Sequence, residues 1–280
     1  MLCSAAELGI PTDDSTGEGI LILGTKDKEH PELGQDARKL LKIEPDYILH
    51  VEPRSNRGDA LSVAGLAREV AALFNRGLKK PEWDWQSLPK GETKEFSTKS
   101  TEIENSDDCP YISLIPISGI KVGPAPALIA KRLESIGMRS VNNVVDITNY
   151  VMHELGQPLH AYCKDKLKAD KISVRRAKEG DKITTLDDKE RVLPGEALLI
   201  VDGQTPVGVA GIMGGKDSEI DDNSTSILLE AACFTPSVVR RGSRLLGLSS
   251  DASLRFERGV DAPSVLNASK RAVYLLVKYC

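Results

Sequence analysis

The apolar run at residues 227–234 (ILLEAACF) constrains the fold of this chain more than any other stretch. A strand that faces water on one side alternates polar and apolar residues, whereas this run is apolar at both sets of alternating positions. Such a pattern is typical of a strand covered on both faces, so it predicts a layered domain. The single acid in the run, Glu230, lies either on an exposed edge or in the interior with a hydrogen-bond partner.

A second stretch, residues 141–160 (VNNVVDITNYVMHELGQPLH), predicts a helix followed by a turn. Gly156 and Pro158 end the helix, which places His160 just beyond the turn. Thr148 and Asn149 lie within the helix, where they either face a pocket or bond to carbonyls of the preceding turn. His160 is likewise either a pocket residue or a turn residue bonded to backbone. The stripe predicted to be buried follows steps of three and four residues: Val144, Ile147, Val151 and Leu155.

The glycine-rich segment 207–215 (VGVAGIMGG) is a third candidate part of a pocket. Its spacing fits neither the dinucleotide-binding fingerprint nor the P-loop, so a nucleotide site is not predicted. Glycines in such a segment either let a ligand approach the backbone closely or form a tight turn between strands. The composition of the segment does not separate these two interpretations.

The remaining pattern predicts an α+β fold with a β-rich second half. Behind a polar turn, residues 63–73 carry apolar side chains at helical spacing, with Asp59 as N-cap and Gly77 as the end. Arg54, Asn56 and Arg57 are interpreted as bracing this turn, with a phosphate contact as the alternative. Residues 249–261 (SSDASLRFERGVD) are interpreted as a polar loop. Further helices are predicted at 36–41, 124–136, 235–246 and 262–280. Strands are predicted at 19–24, 111–120, 172–177, 182–186, 197–201, 207–212 and 226–233.

Composition excludes several classes of protein. The 280 residues are 40% hydrophobic and 28% charged, and no apolar run approaches the roughly 18 residues that span a bilayer. No membrane association is expected, and a cytoplasmic location is predicted.

Neither the scattered cysteines nor His153 and His160 have metal-ligand spacing, so no metal site is predicted. The net charge of −4 leaves RNA contact to a local patch. Five arginines in residues 240–258 either form such a patch or make internal ion pairs.

Five blocks occur in the order found in the beta subunit of bacterial-type phenylalanyl-tRNA synthetase, and the chain resembles that family over nearly its whole length. The blocks are SNRGDALSVAGLAREVAAL, NNVVDITNYVMHELGQPLHA, GVAGIMGG, ILLEAACFTP and SSDASLRFERGVD. The resemblance implies a B3/B4 editing domain with a β-sandwich-like core and surrounding helices, preceded by a small helical B1-type module. The implied segments are the tail of an OB-like tRNA-binding domain at 1–48, the B1-type module at 49–88, a linker at 89–108, the editing domain at 109–262 and the start of a following helix at 263–280.

The resemblance also implies an activity, the hydrolysis of tyrosine wrongly attached to tRNA(Phe). It places Glu230 on the acid that recognises the tyrosine hydroxyl and His160, Thr148 and Asn149 on catalytic positions of the pocket. The remaining substrate-binding positions are Ala210, Gly211, Gly214 and Pro158. His160 would orient water or assist as a base, Thr148 and Asn149 would fix the aminoacyl end or the water, and the turn at 210–215 would supply backbone donors. HAYCKD stands where the family has HAFD, and His153 stands at a position that is usually apolar.

In the family, ATP and magnesium serve aminoacylation in the alpha subunit, so no cofactor is expected for this chain. The implied partners are tRNA(Phe) and the alpha subunit, in an α2β2 assembly of the whole enzyme, with a bacterial or an organellar compartment both open. The alternative is a module that binds tRNA and assembles with the alpha subunit without catalysing hydrolysis.

Overall fold

A computed structural model of the protein describes residues 3–8, 19–23, 32, 34–41, 47–79, 101–169 and 171–280. The chain divides into two compact units, Met1–Leu49 and His50–Cys280. Within the described part, no helix is both long and apolar enough to cross a bilayer. The predicted segments at 80–88 and 89–100 lie outside the described residues.

The first unit contains helix α1, Ala37–Leu40, which confirms the helix predicted at 36–41. It begins after Asp36, whose carboxylate accepts a hydrogen bond from the backbone N–H of Arg38 at 3.0 Å. The strand predicted at 19–24 is wrong over the described residues 19–23, which are irregular. Ile20 and Ile22 in this segment are both exposed, and a strand needs a neighbouring ladder that local apolar residues do not supply.

The helices of the second unit agree with the sequence at most positions, and those predicted at 124–136, 235–246 and 262–280 are confirmed. The loop predicted at 249–261 is wrong, because it contains a helix. Ser250 accepts a hydrogen bond from the N–H of Ser253 and the Ser253 side chain accepts one from Ser250, a reciprocal cap that starts this helix. The helices are α2 Val63–Leu73, α3 Ala127–Ser135, α4 Asn143–Leu155, α5 Pro236–Leu246, α6 Asp251–Arg258 and α7 Ala262–Tyr279.

The strands predicted in the second unit are all present, with shifted ends. The segment predicted as a linker at 89–108 differs in its described part, because residues 101–103 form a strand. The strand predicted at 207–212 ends at Val209, and residues 210–212 form a turn. The strands are β1 Thr101–Ile103, β2 Tyr111–Ser118, β3 Leu159–Cys163, β4 Ile172–Arg176, β5 Lys182–Thr184, β6 Glu190–Val192, β7 Leu198–Asp202, β8 Thr205–Val209, β9 Met213–Gly214 and β10 Ser226–Cys233.

Two sheets and a hairpin organise these strands into the predicted α+β fold. The larger sheet has the order β1-β4-β7-β8-β9, the smaller has the order β2-β10-β3, and β5 pairs with β6. All pairings are antiparallel except that of β1 with β4. One hydrophobic core joins residues of the two sheets, as in a β-sandwich.

Strand β10 is covered on both faces, as its apolar run predicts. Leu228 and Ala232 belong to the core between the sheets, whereas Ile227 and Leu229 belong to a second core with helices α4 and α7. Side chains alternate along a strand, so Glu230 lies on the face of Leu228 and Ala232. The acid therefore faces the space between the sheets.

Helix α4 forms as predicted because both its ends are capped and one face is buried. Asn142 accepts a hydrogen bond from the N–H of Val145, and Gly156 ends the helix at φ 83°. Val144, Ile147 and Val151 are fully buried, and Leu155 only partly. Helix α7 packs against α4 and β10 in the same core, so residues 263–280 contribute to this domain although a following element was predicted there. The domain limits themselves remain predictions.

Helix α2 differs from prediction at both ends. Its N-cap is Ser62 rather than Asp59, and it ends at Leu73, with Phe74 as C-cap, rather than at Gly77. Arg57 braces the preceding turn as predicted, with ion pairs to Asp59 and Glu69. The apolar side chains that predicted this helix remain largely exposed.

Replacing Ser62 by alanine is expected to lower the free energy of unfolding by about 1 kcal/mol, the usual cost of losing an N-cap. The buried hydroxyl accepts from the N–H of Gly65 at 3.0 Å and donates to the carbonyl of Asp59 at 3.0 Å. Urea denaturation measures the change. Ser135→Ala is the control, since its hydroxyl only donates to the carbonyl of Arg132. Equal losses in the two variants would contradict the role of the cap.

Candidate functional site

The register of the small sheet brings the first two functional candidates together. Glu230 of β10 pairs directly with His160 of β3, so both side chains project from the same face. Tyr162 lies two residues farther along β3 and shares that face, with its ring edge-on to His160 at a centroid distance of 4.5 Å. A cavity of about 80 Å³ lies beside this cluster. Its lining is formed by Pro158, Leu159, His160, Tyr162, Ile200, residues 208–214, Glu230, Ala252 and Phe256.

Glu230 lies in the interior with a hydrogen-bond partner, not on an exposed edge. It is 7% exposed, and its Oε2 accepts a hydrogen bond from the hydroxyl of Tyr162 at 2.5 Å. Oε1 has no hydrogen-bond partner among the described residues. Burial raises the pKa of Glu230 to about 7, and the hydrogen bond from Tyr162 opposes that rise.

Tyr162 is the residue of this site that sequence reasoning missed. It is fully buried, and burial together with the neighbouring carboxylate holds the pKa of its phenol well above the usual range, so the hydroxyl is a donor. The available signal was the departure HAYCKD from the family pattern HAFD, which places a hydroxyl on this ring. A single strand does not reveal that the hydroxyl meets Glu230 on its neighbour.

His160 is enclosed, and its ring nitrogen Nε2 is buried without a partner among the described residues. Burial lowers the pKa of His160 to about 4, so the imidazole is neutral at pH 7. The ring lies directly on the backbone of Gly214. A Cβ at position 214 would come within 2.4 Å of His160 Cε1 and 2.6 Å of Nε2, so only glycine fits there. The group that approaches the backbone of Gly214 closely is therefore the His160 side chain.

Gly211 is a glycine for a different reason. Its φ is 70°, a left-handed conformation, and a Cβ would meet the rings of Phe234 and Phe256 at 3.0 Å. It forms the turn between β8 and β9, together with the buried Ala210. Both residues line the cavity, as the resemblance implies for the substrate-binding wall.

The backbone donors expected from the turn at 210–215 are largely engaged. The N–H groups of Ala210, Ile212 and Gly215 donate to the carbonyls of Leu198, Val209 and Val207. The N–H of Gly211 has no partner among the described residues. Among residues 210–212, Gly211 is therefore the position whose N–H is free to donate to a bound group.

Thr148 and Asn149 do not line the cavity. The hydroxyl of Thr148 donates to the carbonyl of Val145 at 2.7 Å, the local bond that its position within a helix also predicted. Asn149 is half-buried on the same helix. Nearby, the buried Gln157 donates to the carbonyl of Ala232 at 2.8 Å and so fixes the turn that carries Pro158 against β10. The catalytic roles expected of Thr148 and Asn149 remain predictions.

The arginines of residues 240–258 serve internal contacts at three positions. Arg240 pairs with Glu257, and Arg258 donates to the carbonyl of Pro53. The buried Arg255 donates to Asp251 and lies 3.2 Å from Nδ1 of His153. Arg241 and Arg244 are exposed. Internal pairing thus accounts for three of these arginines, and the exposed pair remains a candidate RNA contact.

The comparisons with known proteins identify the family. A family model described as the B3/4 domain matches residues 108–280. The chain belongs to the B3/4 domain family. Among curated relatives, the phenylalanine–tRNA ligase beta subunit of Syntrophus aciditrophicus (strain SB) is 45% identical over 99% of this chain and 33% of its own length. The beta subunit of Halalkalibacterium halodurans is 42% identical over 99% of this chain and 34% of its own. These matches confirm the resemblance seen in the sequence.

This B3/4 chain spans about a third of the length of those beta subunits. A solved N-terminal fragment of the phenylalanyl-tRNA synthetase beta subunit from Pyrococcus horikoshii is similar over 64% of this chain and 53% of that chain. The identity is 16% and the TM-score is 0.37.

Proposed function

We propose that this B3/4 chain is the editing part of a phenylalanyl-tRNA synthetase beta subunit and hydrolyses tyrosyl-tRNA(Phe). The observation that carries the proposal is the buried carboxylate of Glu230, directly opposite His160 and lining the same cavity. The family match and the named relatives supply the aminoacyl-tRNA ligase context. The proposed partners are tRNA(Phe) and the alpha subunit, and ATP and magnesium would serve the whole enzyme rather than this cavity.

Chemical logic supports a site that tests for a hydroxyl. A hydrophobic pocket shaped for phenylalanine rejects poorly an analogue that only adds a hydroxyl, so a second site is needed to remove tyrosine. The unpartnered Oε1 of Glu230 can accept that hydroxyl. Phenylalanine would cover this oxygen without giving it a partner, at a cost of roughly 1–3 kcal/mol.

His160 is suited to orient water. Its imidazole is neutral at pH 7, and the unpartnered Nε2 can accept a hydrogen bond from a water molecule. A pKa of about 4 makes it a weak general base, so positioning of the water is the greater part of its proposed role. The N–H of Gly211 would stabilise the oxyanion that forms when water attacks the ester.

Deacylation of tyrosyl- and phenylalanyl-tRNA(Phe) by the chain tests this function. We expect faster hydrolysis of the tyrosyl ester, and we expect Glu230→Gln to reduce that preference about 10- to 100-fold, the range of one charge-assisted hydrogen bond. Glu179→Gln, which changes an exposed acid outside the cavity, is the matched control. Tyrosyl-tRNA that stays intact at high protein concentration would favour the non-catalytic binding module. Undiminished preference in Glu230→Gln would remove Glu230 from the recognition of tyrosine.

A further inference from the structure

The proposed recognition site already contains a phenol. Tyr162 donates its hydroxyl to Glu230 Oε2 at 2.5 Å, and a phenol hydroxyl is the group that Glu230 is proposed to recognise in a tyrosyl substrate. Both side chains are buried between the two sheets. The chain therefore forms, within itself, the same donor and acceptor pair that the ligand would form.

The cavity beside Glu230 has little room for a second aromatic ring. Its volume is about 80 Å³, whereas a protein cavity that binds benzene measures roughly 150 Å³. Oε1 of Glu230 is unpartnered. A phenol ring that reaches it would have to extend beyond this space or displace part of the cavity wall.

Tyr162 is the residue of the cavity wall whose movement would change both the cavity volume and the hydrogen bonding of Glu230. Its ring contacts His160 edge-on at 4.5 Å. A Cβ on Gly208 would lie 3.5 Å from the Tyr162 hydroxyl, so the backbone of Gly208 does not press on that group. A shift of this ring would enlarge the cavity and free Oε2 of Glu230 from its hydrogen bond. It would also remove the edge-on contact with His160.

We propose that Tyr162 is a specificity-determining residue, an internal competitor that occupies Glu230 until a ligand phenol displaces it. The inference rests on the proposed function, in which Glu230 recognises the tyrosine hydroxyl. Because Tyr162 and the ligand phenol donate to the same carboxylate, Tyr162 lowers the affinity for tyrosyl ligands. It has no such effect on phenylalanyl ligands, which bring no hydroxyl to compete.

The decisive variant is Tyr162→Phe, which removes one hydroxyl and keeps the ring. Binding to the whole 280-residue chain is measured by calorimetry with L-tyrosinamide and with L-phenylalaninamide. We expect the affinity for tyrosinamide to rise roughly 10- to 100-fold, the gain for one hydrogen bond to a charged group, with phenylalaninamide unchanged. The matched control is Tyr150→Phe, whose hydroxyl accepts from Arg132 at 2.6 Å outside the cavity and whose loss should change neither affinity.

A double-variant cycle separates competition from a general effect on packing. In the Glu230→Gln background, Tyr162→Phe should increase tyrosinamide affinity far less, because the shared charged acceptor is gone. Unchanged or weaker binding of tyrosinamide by Tyr162→Phe overturns the proposal, as does an equal gain for both ligands. If Tyr162→Phe does not fold, NMR of wild type with ¹³C-labelled tyrosine is used instead. The Tyr162 signal must then shift with tyrosinamide and not with phenylalaninamide, and no shift overturns the proposal.

Failure of this inference is distinguishable from failure of the editing function. If wild type hydrolyses tyrosyl-tRNA(Phe) with a preference that depends on Glu230, but Tyr162→Phe changes nothing, only the competitor role is wrong. If Tyr162→Phe gains affinity for tyrosinamide and no form of the chain hydrolyses the ester, the hydrolytic function is wrong and the competition at Glu230 stands.

Discussion

Gly214→Ala is expected to reduce hydrolysis of tyrosyl-tRNA(Phe) at least about 100-fold, the cost of a small misplacement of a catalytic group. The same change should lower the free energy of unfolding by about 1–3 kcal/mol, as overpacking typically does. The new methyl group would come within 2.4 Å of His160 Cε1, so the imidazole must move away from its place opposite Glu230. Deacylation kinetics and urea denaturation measure the two effects.

The control for this prediction is Gly123→Ala, because a Cβ at Gly123 meets no other atom within 4 Å. A second comparison removes the His160 ring instead of changing the glycine. In a His160→Ala background the ring is gone, so Gly214→Ala should cost little further stability, while hydrolysis stays low. If Gly214→Ala were as destabilising without the ring as with it, the contact with His160 would not be the reason for a glycine at this position.

As the pH rises from about 4.5 to about 7, wild type is expected to lose stability relative to Glu230→Gln. The loss in the free energy of unfolding should be about 3 kcal/mol over this range. Burial raises the pKa of Glu230 from 4.5 to about 7 in the folded chain. Between these values the folded state keeps a proton that the unfolded state has lost, so wild-type stability falls with rising pH. The acid is only 7% exposed, so solvent screens this effect weakly.

The contribution of His160 to stability depends on pH with the opposite sign. Burial lowers its pKa from 6.5 to about 4, so the unfolded state binds a proton that the folded state excludes, and wild-type stability is lost as the pH falls through this range. His160→Gln should therefore gain on wild type as the pH falls. The two contributions oppose each other between about pH 4.5 and 6.5, so wild type alone shows little slope from this pair. Urea denaturation of both variants across this range is the measurement, and curves parallel to wild type would contradict the burial of these groups.

The prediction of the site from sequence was uneven for physical reasons. Glu230, His160, Pro158 and the turn after β8 line one cavity, because their blocks carry enough local pattern to be recognised and aligned with a family. Thr148 lies on the adjacent helix, but its hydroxyl bonds to its own backbone. A helical position does not specify which partner a short hydroxyl side chain takes, since the local carbonyl competes with any pocket.

The amino-acid sequence by itself determined the elements whose signals are local. The apolar run of β10 specified a strand covered on both faces, and the capped periodicity of α4 specified a helix with a buried stripe. Only the tertiary structure decided which of these groups meet. The hydrogen bond between Tyr162 and Glu230 joins residues on two strands, and the approach of His160 to Gly214 crosses between sheets. Such contacts depend on strand register and sheet packing, which residues far apart in the chain settle together.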